Sequence, residues 1–104
     1  MKILNDDNFE EVINNSTKPV LLDIYTEWCP PCKTLSPILD KLSEEFKDKV
    51  DFCKMDLDKN PKIGEMFSVD RIPTVILFVQ GKIKTTFIGL REEEEIRSLI
   101  NSNI

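Results

Sequence analysis

The sequence predicts an α/β domain built around a mixed central sheet. Apolar, strand-like runs alternate with segments whose apolar residues recur at helical spacing. Two late strand-like runs are separated only by Gln80-Gly81, which is a tight-turn signal. Strands that alternate with helices and then form a hairpin indicate a sheet with both parallel and antiparallel pairing. With 104 residues and 40% hydrophobic content, residues 1–104 are expected to form a single domain around one core.

The first half of the chain contains a predicted helix, a buried strand and a longer helix. Asp6 or Asp7 is expected to cap a helix whose apolar face begins at Phe9. The run Val20 to Tyr25 is almost unbroken in apolar residues, as in strands that are buried on both faces. After the cysteines, apolar residues recur at helical spacing up to position 46, and a kink is expected at Pro37.

The second half alternates in the same way and then forms the hairpin. A strand is expected at Val50 to Asp56, and Pro61 opens a short helical stretch toward position 67. The hairpin strands are expected at Thr74 to Val79 and at Lys82 to Ile88. A final amphipathic helix is indicated by the spacing of its apolar residues: Ile96, Leu99 and Ile100.

Charge and composition exclude several classes of partner. A net charge of −5 and a pI near 4.7 disfavour binding to nucleic acid or to anionic membranes. No apolar run approaches the roughly 20 residues that a membrane helix requires. Polar residues follow Leu4 where a secretion signal would be apolar, so the expected location is cytoplasmic.

Two of the three cysteines, Cys29 and Cys32, are separated only by Pro30 and Pro31. Cys29 follows the buried strand and the helical period starts just past it, so Cys29 is expected near the N-cap of a helix. Free backbone N–H groups and the helix dipole favour a thiolate there. Prolines suit the first turn, because its N–H groups have no helical partner to lose. The pair is expected to open and close as a disulfide without moving the fold.

Three other interpretations of the cysteine pair are weaker. A zinc site usually needs four ligands, but the sequence has no histidine and only Cys53 as a further cysteine. A permanent structural disulfide is disfavoured because so short a loop gains little entropy on closure. Two buried, inert thiols remain an alternative, although Trp28 and the two prolines indicate an exposed turn.

The stretch VLLDIYTEWCPPCK, residues 20–33, resembles the active-site strand and turn of the thioredoxin family. The resemblance continues through LSPILDKLSEEF, CKMDLDKNP, VDRIPTVILFVQGK and FIG, and so covers nearly the whole chain. It implies a thioredoxin fold, with a central five-stranded mixed sheet flanked by four helices. It also implies reversible dithiol–disulfide exchange as the activity.

The resemblance further implies roles for individual residues. Cys29 would be the attacking thiolate and Cys32 the resolving thiol, while Asp23 and Lys54 match a buried acid and its lysine neighbour. Ile72-Pro73 matches the cis-proline loop of the family. The positions that match the family's substrate groove are Trp28, Pro30, Pro31, Ile72, Pro73 and Gly89. The sequence departs from the family pattern at Pro30, usually glycine, and at Tyr25, usually tryptophan. Because of Pro30, the resemblance does not predict the reduction potential of the cysteine pair.

The residues themselves leave alternatives at three positions. Asp23 interrupts an apolar strand, where burial would raise its pKa and suit it to deprotonate Cys32; the alternative is an exposed aspartate at a strand end. Lys54 either faces the same interior as Asp23 or lies on a solvated edge. Cys53 is either a small buried apolar residue or a regulatory thiol.

The main functional hypothesis is a general protein disulfide reductase that acts through Cys29 and Cys32. It needs no bound cofactor and no metal, because the cysteine pair carries the electrons. Its expected partners are disulfide-containing proteins and a separate reductase of the thioredoxin-reductase type, and the chain is expected to be a monomer. Alternatives are a more oxidising disulfide oxidase or isomerase, a glutaredoxin-like thiol transferase, and a binding module around Trp28 and Ile72 whose thiols are incidental.

Overall fold

The computed structural model describes residues 1–104 as five strands and four helices. The strands are β1 (Lys2–Ile3), β2 (Val20–Tyr25), β3 (Asp51–Asp56), β4 (Thr74–Val79) and β5 (Lys82–Ile88). The helices are α1 (Phe9–Asn15), α2 (Pro30–Glu45), α3 (Pro61–Met66) and α4 (Glu93–Asn103), with a short 3₁₀ turn at Leu57–Lys59. None of the helices combines the length and apolar character needed to cross a membrane.

The strands form one mixed sheet in the order β1-β3-β2-β4-β5. β1, β3 and β2 are parallel, whereas β4 runs antiparallel to both β2 and β5. The predicted five-stranded mixed sheet with four helices is therefore confirmed. β2 is the central strand, paired on both sides, so the start of the cysteine segment that follows it is held in place by the sheet.

The two faces of the sheet support separate apolar clusters, as expected for a sheet covered on both sides. Leu21 on β2 packs with α2 and α4, whereas its neighbour Leu22 faces the cluster of α1 and α3. Successive side chains of β2 point to opposite faces of the sheet, so this one strand contributes to both apolar clusters. Every residue of β2 except Tyr25 is buried, which explains its nearly continuous apolar sequence.

α2 begins directly after Cys29, which occupies the N-cap position, and Pro30 and Pro31 fill its first two positions. The predicted start of this helix is confirmed. The apolar stripe of α2 is buried against the sheet through Leu35, Leu39 and Leu42. This packing fixes the first turn of the helix relative to β2.

The hairpin between β4 and β5 turns at Gln80 and Gly81, with φ values of 53° and 78°. Two consecutive left-handed residues match the two-residue turn that the right-handed twist of a hairpin favours. The predicted bounds of both hairpin strands and of β2 agree with the structure.

The expected cap of α1 is wrong. Asn8 occupies the N-cap position and makes no side-chain cap, while Asp6 instead accepts hydrogen bonds from the N–H groups of Lys62 and Ile63, at 3.1 and 3.0 Å. Asp6 therefore caps α3, a contact that joins distant parts of the chain. Also unpredicted are the short strand β1, which pairs with β3 at the sheet edge, and the 3₁₀ turn.

Candidate active site

Cys29 and Cys32 are joined by a disulfide, with their Cα atoms 5.2 Å apart. Cys29 has the extended backbone of an N-cap residue, with φ −96° and ψ 107°. The backbone N–H of Cys32 donates to the Cys29 sulfur at 3.2 Å. The first turn of α2 therefore directs a free N–H at the sulfur, which favours negative charge on Cys29 once the disulfide opens.

The surroundings of the cysteines are exposed, although the cysteines are not. Cys29 and Cys32 are only 3% and 4% exposed, so the expectation of an exposed turn holds for Pro30, Pro31 and Trp28 but is wrong for the cysteines themselves. Trp28 is 68% exposed, and its indole N–H donates to Asp58 Oδ2 at 2.8 Å. A large apolar side chain is thus held over the surface beside the disulfide.

The Ile72–Pro73 segment enters the sheet at the end from which the cysteine segment leaves it. β4 is antiparallel to β2, and Thr74 pairs with Ile24 near the end of β2. The Ile72–Pro73 bond is cis, as the resemblance implied. The N–H of Gly89 donates to the carbonyl oxygen of Pro73 at 2.8 Å, and Gly89 has φ 89°. The structure therefore joins Pro73 to Gly89 at this end of the sheet.

Asp23 is buried, and it lines one cavity of about 190 Å³ together with Cys32. Burial raises the pKa of Asp23 from 3.8 to about 7, an effect that the Lys54 ammonium partly opposes. Lys54 pairs with Asp23 across β2 and β3, lines the same cavity and lies on an interior strand. The alternatives of an exposed Asp23 and of an edge-strand Lys54 are thus wrong.

Comparison with known proteins agrees with this geometry. The Thioredoxin family model matches residues 1–102. The chain belongs to the thioredoxin family. It is 41% identical over 101 residues to the thioredoxin of Rickettsia bellii, covering 97% of this chain and 96% of that protein. It is also 40% identical over 101 residues to the thioredoxin of Haemophilus influenzae, covering 97% and 94%.

Family membership and the paired cysteines together make the chain a thiol–disulfide oxidoreductase. The family implies disulfide-containing protein substrates and a reductase as electron donor. The hypothesis of a binding module with incidental thiols is wrong.

The sequence predicts no role for two side chains near the Cys29–Cys32 disulfide. Asp58, in the middle of the 3₁₀ turn, accepts the hydrogen bond from the Trp28 indole, and no pattern in the sequence indicates this contact. Thr26 is buried at the end of β2 and lines the Asp23 cavity, although a threonine after a strand has no distinctive pattern.

Cys53 lies away from the disulfide, in the middle of β3, and is fully buried. Burial raises its pKa from 9.0 to about 11, so the thiol stays protonated at neutral pH. The prediction of a small buried apolar residue is confirmed. No group of three or more cysteine, aspartate or glutamate side chains is arranged to hold a metal ion.

Proposed function

We propose that this chain is a protein disulfide reductase in which Cys29 attacks and Cys32 resolves. The observation that carries the proposal is the hydrogen bond from the backbone N–H of Cys32 to the sulfur of Cys29, with nitrogen and sulfur 3.2 Å apart. Cys29 is the N-cap residue of α2. One cysteine sulfur therefore accepts a hydrogen bond from the helix terminus, whereas its partner lies one turn inside the helix. This asymmetry supports Cys29 as the thiolate.

The reaction is two successive thiol–disulfide exchanges. The Cys29 thiolate attacks one sulfur of a substrate disulfide, forms a mixed disulfide and releases the other substrate sulfur as a thiolate, which takes up a proton. The deprotonated Cys32 sulfur then attacks Cys29, and the second substrate sulfur leaves. The substrate gains two electrons and two protons, and the chain is left with the Cys29–Cys32 disulfide.

Asp23 is proposed as the base of the second exchange. A carboxyl with a pKa of about 7 accepts a proton near neutral pH, and Asp23 lines the cavity that Cys32 also lines. No histidine is present to compete for the role. Lys54, on the neighbouring strand, keeps the pKa of Asp23 from rising further.

The substrate is proposed to bind as an extended segment beside the disulfide. Ile72 is half-buried next to the cis bond, and its backbone offers an N–H donor, which Pro73 lacks. Trp28 supplies exposed apolar area. The remaining residues of the proposed groove are Pro30, Pro31, Pro73 and Gly89.

The electrons reside in the cysteine pair, so the proposed reaction needs no bound cofactor. A separate reductase of the thioredoxin-reductase type is proposed to restore the dithiol, and the chain is proposed to act as a monomer in the cytoplasm. The more oxidising alternatives, a disulfide oxidase or isomerase or a glutaredoxin-like thiol transferase, are disfavoured by one observation. Pro30 removes an N–H from the first helical position, next to the Cys29 sulfur, which weakens stabilisation of the reduced form.

Insulin reduction tests the proposal. The wild type should catalyse reduction of insulin by dithiothreitol, Cys29→Ser should be inactive, and Cys32→Ser should accumulate a mixed disulfide that mass spectrometry detects. Equilibrium titration against dithiothreitol and glutathione buffers then fixes the direction of electron flow. A potential near the roughly −120 mV of strong oxidants, rather than near the roughly −270 mV of reductants, would favour the oxidase alternative.

A further inference from the structure

Two buried polar atoms near the disulfide have no hydrogen-bond partner in the protein: Asp23 Oδ1 and Thr26 Oγ1. Each residue is only 2% exposed. Both line the cavity that Cys32 also lines. Buried polar atoms in native proteins almost always pair with a protein group or with an ordered water, because an unpaired one is destabilising. Each of the two atoms therefore indicates a partner within the cavity, and one partner between them would satisfy both.

Water fits this role by size and by chemistry. The cavity of about 190 Å³ exceeds the roughly 30 Å³ that one water occupies in the liquid. A water that bonds to both Asp23 and Thr26 has two fixed partners, and buried waters typically make about three hydrogen bonds. Its third hydrogen-bonding position is then available to the thiol of Cys32.

We propose that Thr26 is a positioning residue for the resolving exchange, because its hydroxyl orients a water that carries the proton from Cys32 to Asp23. The inference rests on the proposed function, in which Asp23 is the base. The Cys32 thiol gives its proton to the water, and the water gives one to the Asp23 carboxylate. The Cys32 thiolate then forms the bond to Cys29, and the bond between Cys29 and the substrate sulfur breaks.

The pH dependence of this step depends on every charge that faces Asp23. Lys54 on β3 lowers the pKa of Asp23, whereas Asp40 on α2 raises it. Other ionisable side chains lining the cavity lie on β2, on the loop after it and on α2: Tyr25, Glu27, Cys32 and Lys33. Thr26 is uncharged at every working pH, so its replacement leaves these charges in place.

Matched variants separate the hydroxyl from the shape of the side chain. Thr26→Val keeps the shape without the hydroxyl, and Thr26→Ser keeps the hydroxyl. Single-turnover reduction of a disulfide peptide, quenched with acid and followed by mass spectrometry, gives the rate at which the mixed disulfide resolves. Loss of one oriented hydrogen bond should slow resolution by about tenfold near pH 7 in Thr26→Val, while Thr26→Ser stays within about twofold of wild type. Toward about pH 9 the loss should shrink, since hydroxide can then deprotonate Cys32.

Three controls make the result decisive. The attack step, measured in a Cys32→Ser background, should be unchanged by Thr26→Val, and urea unfolding should show no loss of stability, because no protein hydrogen bond is removed. Should Thr26→Val prove destabilised, Thr26→Ala lacks the same hydroxyl and must show the same loss of rate. An equal slowing of both exchanges would mean a structural role and would overturn the inference.

Asp23→Asn distinguishes failure of this inference from failure of the proposed base. If Asp23→Asn leaves resolution unchanged, the assignment of Asp23 is wrong, and the inference fails with it. If Asp23→Asn slows resolution and Thr26→Val does not, only the role of Thr26 is overturned. In the Asp23→Asn background, Thr26→Val should add less than about a twofold loss, because the two residues act through one water. A full additional loss there would contradict the inference.

Discussion

The backbone N–H of Cys32 and the sulfur of Cys29 lie 3.2 Å apart, so the helix that carries the second cysteine supplies a hydrogen bond to the first. The two cysteines are thereby made unequal, although both are nearly buried. Once the disulfide is reduced, this contact favours charge on Cys29 rather than on Cys32.

Alkylation of the reduced protein should follow this inequality. Iodoacetamide reacts with thiolates, so Cys29 is expected to be labelled before Cys32 near pH 7. Cys53 is an internal control, because burial raises its pKa to about 11 and it should remain unlabelled until the protein unfolds. Peptide mapping by mass spectrometry gives the order of labelling. Modification of Cys32 ahead of Cys29 would reverse the proposed roles.

Asp23 should make the protein less stable as the pH rises. Its pKa is 3.8 when unfolded and about 7 when folded, so the folded state binds more protons between these values. The stability that this group contributes is fully present below about pH 3.8 and is lost as the pH rises through about 7. Asp23→Asn, which cannot ionise, should therefore stabilise the fold more at about pH 8 than at about pH 5, by roughly 2–3 kcal/mol.

Urea unfolding at both pH values checks this prediction. Asp48→Asn is the matched control, since it removes the same charge from an exposed position and should show little pH-dependent change. An Asp23→Asn gain that is equal at the two pH values would mean that Asp23 does not titrate near neutral pH.

Pro30 should make the pair more reducing than a glycine at the same position would. It occupies the first position of α2 and offers no N–H to the Cys29 thiolate, which weakens stabilisation of the reduced form and so makes the reduction potential more negative. Proline also restricts the reduced loop more than glycine does, which lowers the ordering cost of closing the disulfide and acts in the same direction. We therefore expect the wild-type potential to be more negative than that of Pro30→Gly by about 30 mV, which corresponds to ~1.4 kcal/mol.

Redox titration of both proteins in one glutathione buffer tests the role of Pro30. Pro37→Ala serves as the control, because Pro37 is an exposed proline within the same helix and lies beyond the first turn. Its potential should equal that of the wild type. A wild-type potential equal to or less negative than that of Pro30→Gly would exclude the predicted direction.

Asp58 should affect substrate binding through Trp28. The hydrogen bond from the indole to Asp58 holds a side chain that is 68% exposed. In Asp58→Ala the indole is free, and fixing it again on binding costs about 0.5–1.5 kcal/mol. KM for insulin should therefore rise by about two- to tenfold, whereas the rate with a small aromatic disulfide should change little. Asp48→Ala, which removes an exposed carboxylate elsewhere, should leave KM for insulin unchanged, and an unchanged KM in Asp58→Ala would remove Trp28 from the binding surface.

Elements whose causes are local follow from the sequence alone. The apolar run of β2, the apolar stripe of α2 and the turn at Gln80-Gly81 depend on residues close together in the chain, and the structure agrees with each. The same holds for the start of α2, since a cysteine followed by two prolines suits an N-cap and the first turn wherever the helix packs.

Contacts between distant segments, by contrast, depend on how the elements pack in three dimensions. Asp6 is a plausible cap for α1 in sequence, yet the fold brings the start of α3 within its reach, and two N–H groups of α3 bind it instead. Sheet register places Lys54 beside Asp23, and the return of the chain after β3 brings Asp58 to Trp28. Burial of Cys29 and Cys32, the raised pKa of Asp23 and the unpaired hydroxyl of Thr26 likewise arise from packing. Desolvation depends on which segments cover a group, and the spacing of residues along a chain does not specify that cover.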